Sequence, residues 1–388
     1  VATTEWLDFP SQRFVVWLQI IEILSRIIEN NQARRSARMR AVVLRDGRLD
    51  VREVADPVPG SGEVLLRTLS TAICASDVHF MDHPEMGIND PTGRSLYDAD
   101  RDIVLGHEFV GEVIGYGPDC TEQFAVGTRV TSIPIRVVNG GADGVRIIGQ
   151  HPEAQGSFGE LVVVAETLAK PVDADVSSDA AALTDAFAVG EFYVRSARME
   201  AGEIPVVIGA GAIGLSAVAA LAGRGIEPII VSDYNSERRE LACASFGAHI
   251  AVNPAERSPF DVWRQVRVER GMWGPMVVFE CVGAAGLIQK IVDSVDIGTR
   301  IYCAGGWYSG DSLSITDATR QGVTIQFGGG PHPQDWYGTL AAIAAGHLDP
   351  LPSVGAVVGL DEVPDALDSA RKSTGPARII VHPNGDVK

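Results

Sequence analysis

The stretch from Pro205 to Arg239, PVVIGAGAIGLSAVAALAGRGIEPIIVSDYNSERR, limits what this chain can fold into more than any other. An apolar run, Pro205 to Ile208, leads directly into Gly209-Ala-Gly211-Ala212-Ile213-Gly214. A helix-period run, Leu215 to Leu221, follows, and a second apolar run, Ile226 to Val231, ends at Asp233. Strand, glycine turn, helix, strand and acid in that order make a dinucleotide-binding βαβ unit. Gly209 permits the tight turn, Gly211 lets backbone N–H groups approach a pyrophosphate, and Gly214 lets the helix pack closely on the sheet. The helix that Ala212 and Ile213 open points its N-terminus at the phosphate charge. Asp233 stands about 20 residues beyond the glycines, where a carboxylate accepts hydrogen bonds from an adenosine ribose. A carboxylate there favours NAD, because it repels the extra phosphate of NADP. Arg238 can pair with such a phosphate and softens that preference.

With 388 residues the chain has room for two or three domains with substantial cores. Its net charge of −18 argues against an electrostatic grip on nucleic acid or an anionic membrane. The five cysteines, Cys74, Cys120, Cys243, Cys281 and Cys303, are odd in number and scattered. They read as thiols of a reducing compartment, the cytoplasm, rather than a disulfide framework. Residues 1–38 stand apart. Phe14 to Ile28 is apolar but interrupted by Gln19, Glu22 and Arg26, too short and too charged for a comfortable membrane span. It suits an amphipathic helix, followed by the basic run from Gln32 to Arg38, and it lacks the layout of a signal peptide. The working domain is expected to begin at Met39, leaving residues 1–38 as an extension, as sequence upstream of the true start, or as a packing helix for a partner subunit.

From 39 to 170 short strands alternate with Gly, Pro and Asp turns: Ala41–Leu44, Glu63–Leu69, Phe109–Tyr116, Arg129–Ile133 and Gly159–Val164. Three polar clusters break this pattern: Cys74-Ala-Ser76-Asp77-Val-His79, then Gly106-His107-Glu108-Phe-Val-Gly111, then Thr184-Asp185-Ala. A thiolate, an imidazole and a carboxylate from these clusters would make a tetrahedral zinc site with one open position. Each residue taken singly also has a plainer reading: Cys74 as a small buried hydrophobe, His107 as a hydrogen-bonded core residue, Asp185 as the cap of a helix that Ala186 begins.

These three clusters, in this order ahead of the glycine turn, resemble the zinc-dependent medium-chain dehydrogenase/reductase family of alcohol and polyol dehydrogenases. The resemblance runs from Met39 to about Pro383; Gly-His-Glu is its most specific piece and the glycine turn its least. It implies that Cys74, His107 and Asp185 bind one catalytic zinc, with Glu108 a nearby carboxylate that can exchange into the site. It implies that Ser76 hydrogen-bonds the substrate oxygen and that His79 passes the proton to solvent. Asp185 stands where the alcohol dehydrogenase set of two Cys and one His has its second Cys. Many family members also carry four closely spaced cysteines around a structural zinc. The corresponding stretch here, Pro134 to Gly156, has no cysteine, so one zinc per subunit is expected.

Phe80 to Tyr97 shows little helix or strand pattern and reads as a lid, a pocket wall or an ordered surface loop. Beyond 187 the βαβ pattern continues: a helix from a Ser236 cap to Phe246, strands His249–Val252, Val277–Val282 and Arg300–Cys303, and helices Phe260–Glu269 and Leu287–Val295. Ligands bind outside the carboxyl ends of parallel strands, so Val282, Gly283, Ala304 and Gly305 should line the cofactor cleft. Cys281 and Cys303 read as buried packing, and Trp307-Tyr308 as a pocket wall or a cover for the sheet edge. The tail carries helices Tyr337–Ala345 and Pro364–Ala370 and a strand Ala377–Val381.

The expected architecture is therefore α/β, a Rossmann doubly wound parallel sheet over 187–329. The resemblance adds a discontinuous, β-rich, GroES-like catalytic domain over 39–186 and 330–388, and a homodimer or homotetramer. The expected function is zinc-dependent hydride transfer between a small alcohol, polyol or carbonyl substrate and NAD(P). Two rivals stay open: a zinc-free enoyl or quinone reductase of the same superfamily, and a dinucleotide-binding protein without turnover.

Overall fold

Between residues 204 and 327 the apolar runs become six parallel strands. Their order across the sheet is Ile250–Val252, Ile230–Ser232, Ile204–Ile208, Met276–Glu280, Arg300–Cys303 and Thr324–Phe327. That is the doubly wound order 3-2-1-4-5-6, with its switch point between the strands ending at Ile208 and Glu280. Alternate residues of these strands serve two cores. Val207, Val231, Val277 and Phe279 pack with helices Thr184–Ala197 and Ala212–Ala222 on one face. Ile204, Val206, Ile230 and Val278 pack with helices Pro259–Arg270 and Leu287–Ser294 on the other. Burial on both faces is why the strands read as continuous apolar runs in the sequence.

The computed structural model describes residues 38–138, 144–306, 310–371 and 375–385. The extension (residues 1–37), most of the glycine-rich stretch from Asn139, and Trp307-Tyr308 lie outside the described residues. No helix among the described residues is long and apolar enough to cross a membrane.

A mostly antiparallel sheet of seven strands carries the polar clusters. Its central strand, Glu63–Ala72, pairs with Glu108–Tyr116 along one side and with Leu161–Ala165 and Arg378–Val381 along the other. Val354–Val358 lies beyond Arg378–Val381, so chain from after the parallel sheet completes this one. The register sets Ala72 opposite both Glu108 and Ile380. A strand leaving at Ala72 therefore delivers Cys74 to the place where His107 enters, with Arg378 alongside.

Several elements differ from the sequence reading. Asn235, not Ser236, caps its helix, its side chain accepting from the Arg238 N–H. The strand read as ending at Val282 stops at Glu280, because the Glu280 carboxylate takes the N–H groups of Val282 and Gly283. Asp185 lies inside the first turn of helix Thr184–Ala197 and does not cap it. The stretch after Cys74, read as pattern-free from Phe80, contains helices Ala75–Asp82 and Pro84–Ile88. Its remainder is pinned by Asp90, which accepts from the N–H groups of Thr92, Arg94 and Ser95.

The cysteine-free stretch Pro134 to Gly156 is tied to the antiparallel sheet by an ion pair. The Arg136 guanidinium donates to both oxygens of buried Glu63, 2.7 and 2.5 Å away, and to the Glu153 carbonyl. Removing Arg136 strands a buried carboxylate, which costs about 3–5 kcal/mol. Arg136→Met is therefore expected to lower the denaturation free energy by about that amount, and the double variant Glu63→Gln/Arg136→Met by clearly less than the sum of the single changes. Urea denaturation of the three variants checks this.

Candidate active site

Cys74 ends the run from the central strand and precedes helix Ala75–Asp82, whose third residue, Asp77, is fully buried. Asp77 accepts from the Cys74 N–H (3.0 Å) with one oxygen and bonds His107 Nδ1 (3.1 Å) with the other. That bond leaves His107 Nε2 as the outward nitrogen, 3.3 Å from Ser76 Oγ. The Cys74 sulfur, a His107 nitrogen and a Glu108 carboxylate oxygen lie within 4.8 Å of one another. This is the one such group of three or more potential metal ligands found among the described residues. Behind it, the buried Arg378 guanidinium forms an ion pair with Glu108.

Burial opposes the Cys74 thiolate, but the hydrogen bond and charge of His107, with the charge of Arg378, outweigh it and bring the thiol below its ordinary value. Burial likewise opposes charge on His107, yet Asp77 and Cys74 together hold the imidazole well above its usual range. A thiolate beside an imidazole and a carboxylate is a donor set that zinc takes. Tetrahedral bonds of about 2.0–2.3 Å set ligand atoms roughly 3.3–3.8 Å apart, a spacing inside the 4.8 Å limit of this group.

The sequence placed Asp185 in this set and Glu108 beside it. In the structure the compact group contains Glu108, and Asp185 stands close by, its charge felt against that of His107. Burial raises the Asp185 carboxyl, partly offset by His107 and by the Trp336 indole N–H, which donates to Asp185 Oδ1 at 3.0 Å. Trp336, Asp77 and Arg378 were not assigned a role from sequence. Asp77 lay in plain view inside the cysteine motif, and Arg378 could have been suspected as a lone guanidinium entering an apolar strand.

The glycine turn has the shape expected of it. Gly209 adopts φ +92°, and a Cβ on Gly214 would fall 1.8 Å from the Gly209 carbonyl oxygen. The first-turn N–H groups of helix Ala212–Ala222, at Ala212, Ile213 and Gly214, have no partner within the helix. Asp233 is already engaged: one oxygen accepts from the Ala210 N–H (2.7 Å) and the other from the Asn235 N–H (2.8 Å). Arg238 donates to the Gly375 carbonyl at 2.8 Å, and another of its nitrogens lies 3.8 Å from where a Gly211 Cβ would stand. Val282, Gly283, Ala304 and Gly305 follow the carboxyl ends of neighbouring strands, and Val282 is exposed there. Buried Glu280 joins the two loops. Its carboxylate holds the N–H groups of Val282 and Gly283, and its carbonyl those of Ala304 and Gly305. Ala72, Ile380 and Ala210 share one buried cluster, so the cysteine strand and the glycine turn abut the same core.

The two halves together define a dinucleotide-binding oxidoreductase fold with a cysteine-histidine-carboxylate centre. Residues 60–174 match the alcohol dehydrogenase GroES-like domain, and residues 212–345 match the zinc-binding dehydrogenase family. The chain is 30% identical over 326 residues to L-threonine 3-dehydrogenase of Escherichia coli K12, covering 81% of this chain and 91% of that protein. It is 29% identical over 328 residues to the L-threonine 3-dehydrogenase of Klebsiella pneumoniae, covering 82% and 92%. Among solved structures it is similar to 2R,3R-butanediol dehydrogenase from Bacillus subtilis, with TM-score 0.73, 25% identity, and 89% and 100% coverage. It shares the fold of a Sinorhizobium meliloti protein bound to NADP, with TM-score 0.72, 23% identity, and 90% and 100% coverage. The chain belongs to the zinc-dependent medium-chain dehydrogenase/reductase family. It is an oxidoreductase of that family.

Cys281 and Cys303 lie beside Glu280. Burial, with the Glu280 charge, raises Cys281 well above the ordinary thiol value and Cys303 to about 12. A thiol near 12 is about one ten-thousandth thiolate at pH 8, and only the thiolate is nucleophilic. Iodoacetamide at pH 8 is expected to alkylate Cys303 at least ~100-fold more slowly than exposed Cys243, with Cys281 also protected, as peptide mass mapping over time will read.

Proposed function

We propose that the protein oxidises an alcohol, or reduces the corresponding carbonyl, at a single zinc held by Cys74, His107 and a carboxylate, using NAD(P) bound at the Gly209–Gly214 turn. The observation that carries this reading is the convergence of Cys74, His107 and Glu108 within 4.8 Å. The neighbouring Asp185 offers a second carboxylate, so Glu108 and Asp185 can alternate in the third ligand position. Bound zinc would supply Lewis acidity toward an alcohol oxygen, and the nicotinamide a hydride acceptor. The chain supplies the rest. Asp77 holds the His107 ring so that Nε2 faces the site, and Arg378 balances the carboxylate charge. Ser76 takes the hydrogen bond of the alcohol, and His79 releases its proton to solvent. Asp233 supports NAD as the preferred cofactor, with both oxygens already oriented by backbone N–H groups.

The relatives act on L-threonine and on 2R,3R-butanediol, so alcohols with a polar neighbour lead the substrate panel. Such alcohols, primary alcohols and polyols should each be offered with NAD and with NADP. The purified protein is expected to hold about one zinc per chain. Less than about a third of an equivalent, with reduction of enones or quinones surviving chelation, would favour the zinc-free reductase instead.

Cys74→Ser and His107→Ala are expected to lose the metal and to lower kcat/KM by about a thousandfold or more, while dinucleotide affinity stays within about threefold. Asp77→Asn, which loosens the ring without removing a ligand, should weaken metal affinity by about 10- to 100-fold. Metal analysis after dialysis and dinucleotide titration separate these outcomes.

A further inference from the structure

The two acids near Cys74 and His107 are backed by different groups. Behind Glu108 stands Arg378, a buried guanidinium that pairs with it through a full charge. Behind Asp185 stands Trp336, whose indole N–H donates to Asp185 Oδ1 at 3.0 Å. We propose that Trp336 is a positioning residue for the metal: its indole N–H fixes the Asp185 carboxylate so that Oδ2 serves as the oxygen ligand, while Glu108 stays on Arg378. This rests on the single zinc of the function proposed above.

The donor is held firmly. Trp336 lies on helix Pro333–Ala344 at 2% exposure, in one buried cluster with Val110, Ala181, Ala188 and Leu340. Tyr337 meets its ring edge to face, with centroids 5.5 Å apart. The preceding residue, buried Asp335, takes the Arg195 guanidinium with both oxygens, at 2.5 and 2.9 Å. Helix Pro333–Ala344 thus grips helix Thr184–Ala197 near both ends, at Asp185 and at Arg195. An indole N–H donates and carries no charge. It takes one lone pair of Asp185 and leaves the carboxylate its negative charge, with no hydrogen-bond donor to Oδ2 among the described residues. Arg378 acts otherwise, because a cation that drew Glu108 away would leave a buried guanidinium without its carboxylate, which is strongly destabilising. Proximity favours Glu108, which lies inside the 4.8 Å group while Asp185 does not. Charge favours Asp185. Metal ligands are commonly oriented by a hydrogen bond from a group behind them, and Trp336 supplies that bond to Asp185.

The experiment measures zinc affinity of the full-length protein by competition with a chromophoric chelator. Trp336→Phe, which keeps an aromatic ring but has no N–H, is expected to bind zinc about 10- to 100-fold more weakly. In an Asp185→Ala background, which retains Cys74, His107 and Glu108, the same exchange should change affinity by less than about threefold, because its target is gone. A residue that only fills the core would act equally in both backgrounds. An equal loss in both, or no loss in the wild-type background, therefore overturns the proposal. A second readout needs no Trp336 variant. In the isotope-labelled wild type, the indole N–H signal that moves in Asp185→Ala should also move when zinc is added, and a signal that stays in place overturns the proposal. If the wild type binds no zinc, the proposed function fails and this inference with it. If it binds zinc and Trp336→Phe binds as tightly, this inference alone fails.

Discussion

One buried carboxylate makes a site out of two distant pieces of chain. Asp77 holds the Cys74 backbone with one oxygen and the His107 ring with the other. The first bond is local to the start of helix Ala75–Asp82, and the second needs the sheet register that sets Ala72 opposite Glu108. With Nδ1 engaged, His107 presents Nε2, and the thiol is placed where the imidazole charge lowers its pKa. The third strand of this arrangement comes from the far end of the sequence. The Ile73 N–H donates to the Ile379 carbonyl, which brings Arg378 to Glu108. Glu108 is buried there at 1% exposure, and the Arg378 guanidinium both pairs with it and favours the charged form of Cys74.

The cofactor half is organised by a similar economy. Glu280, fully buried at the switch point, fixes the loop after its own strand through its side chain and the loop after the next strand through its carbonyl. Burial raises its carboxyl, and the N–H groups of Gly283, Val282 and Gly305 oppose the rise. On the other side of the switch point, Asp233 reaches back to the Ala210 N–H and braces the glycine turn. The helix packing behind both loops shares its core with Ala72 and Ile380, so the strand that leads to Cys74 and the glycine turn are held by one set of apolar contacts.

Much of this could be read from the sequence because burial leaves periodic marks. The strands Ile204–Ile208, Met276–Glu280 and Arg300–Cys303 are covered on both faces and appear as apolar runs at nearly their true bounds. Thr324–Phe327, the sixth strand, left no such mark: it lies at the sheet edge with Thr324 and Phe327 exposed. Arg48–Ala55 was hidden in the same way, by charges on an edge pairing with Arg38–Arg45. The candidate site divides along the same line. Cys74, His107 and the glycine turn carry local motifs. Whether Glu108 or Asp185 stands nearer the sulfur depends on how helix Thr184–Ala197 packs against Trp336, a contact between residues far apart in the chain. Arg378 was missed because its partner is supplied by strand pairing, which no local pattern records.

The central claim is a single metal bound through one sulfur, one imidazole and oxygen. X-ray absorption at the zinc edge of the purified protein tests it directly. The account predicts one sulfur at about 2.3 Å and the remaining scatterers at about 2.0–2.2 Å, with an imidazole pattern beyond them. A shell of four sulfurs, or one with no sulfur at all, would contradict it.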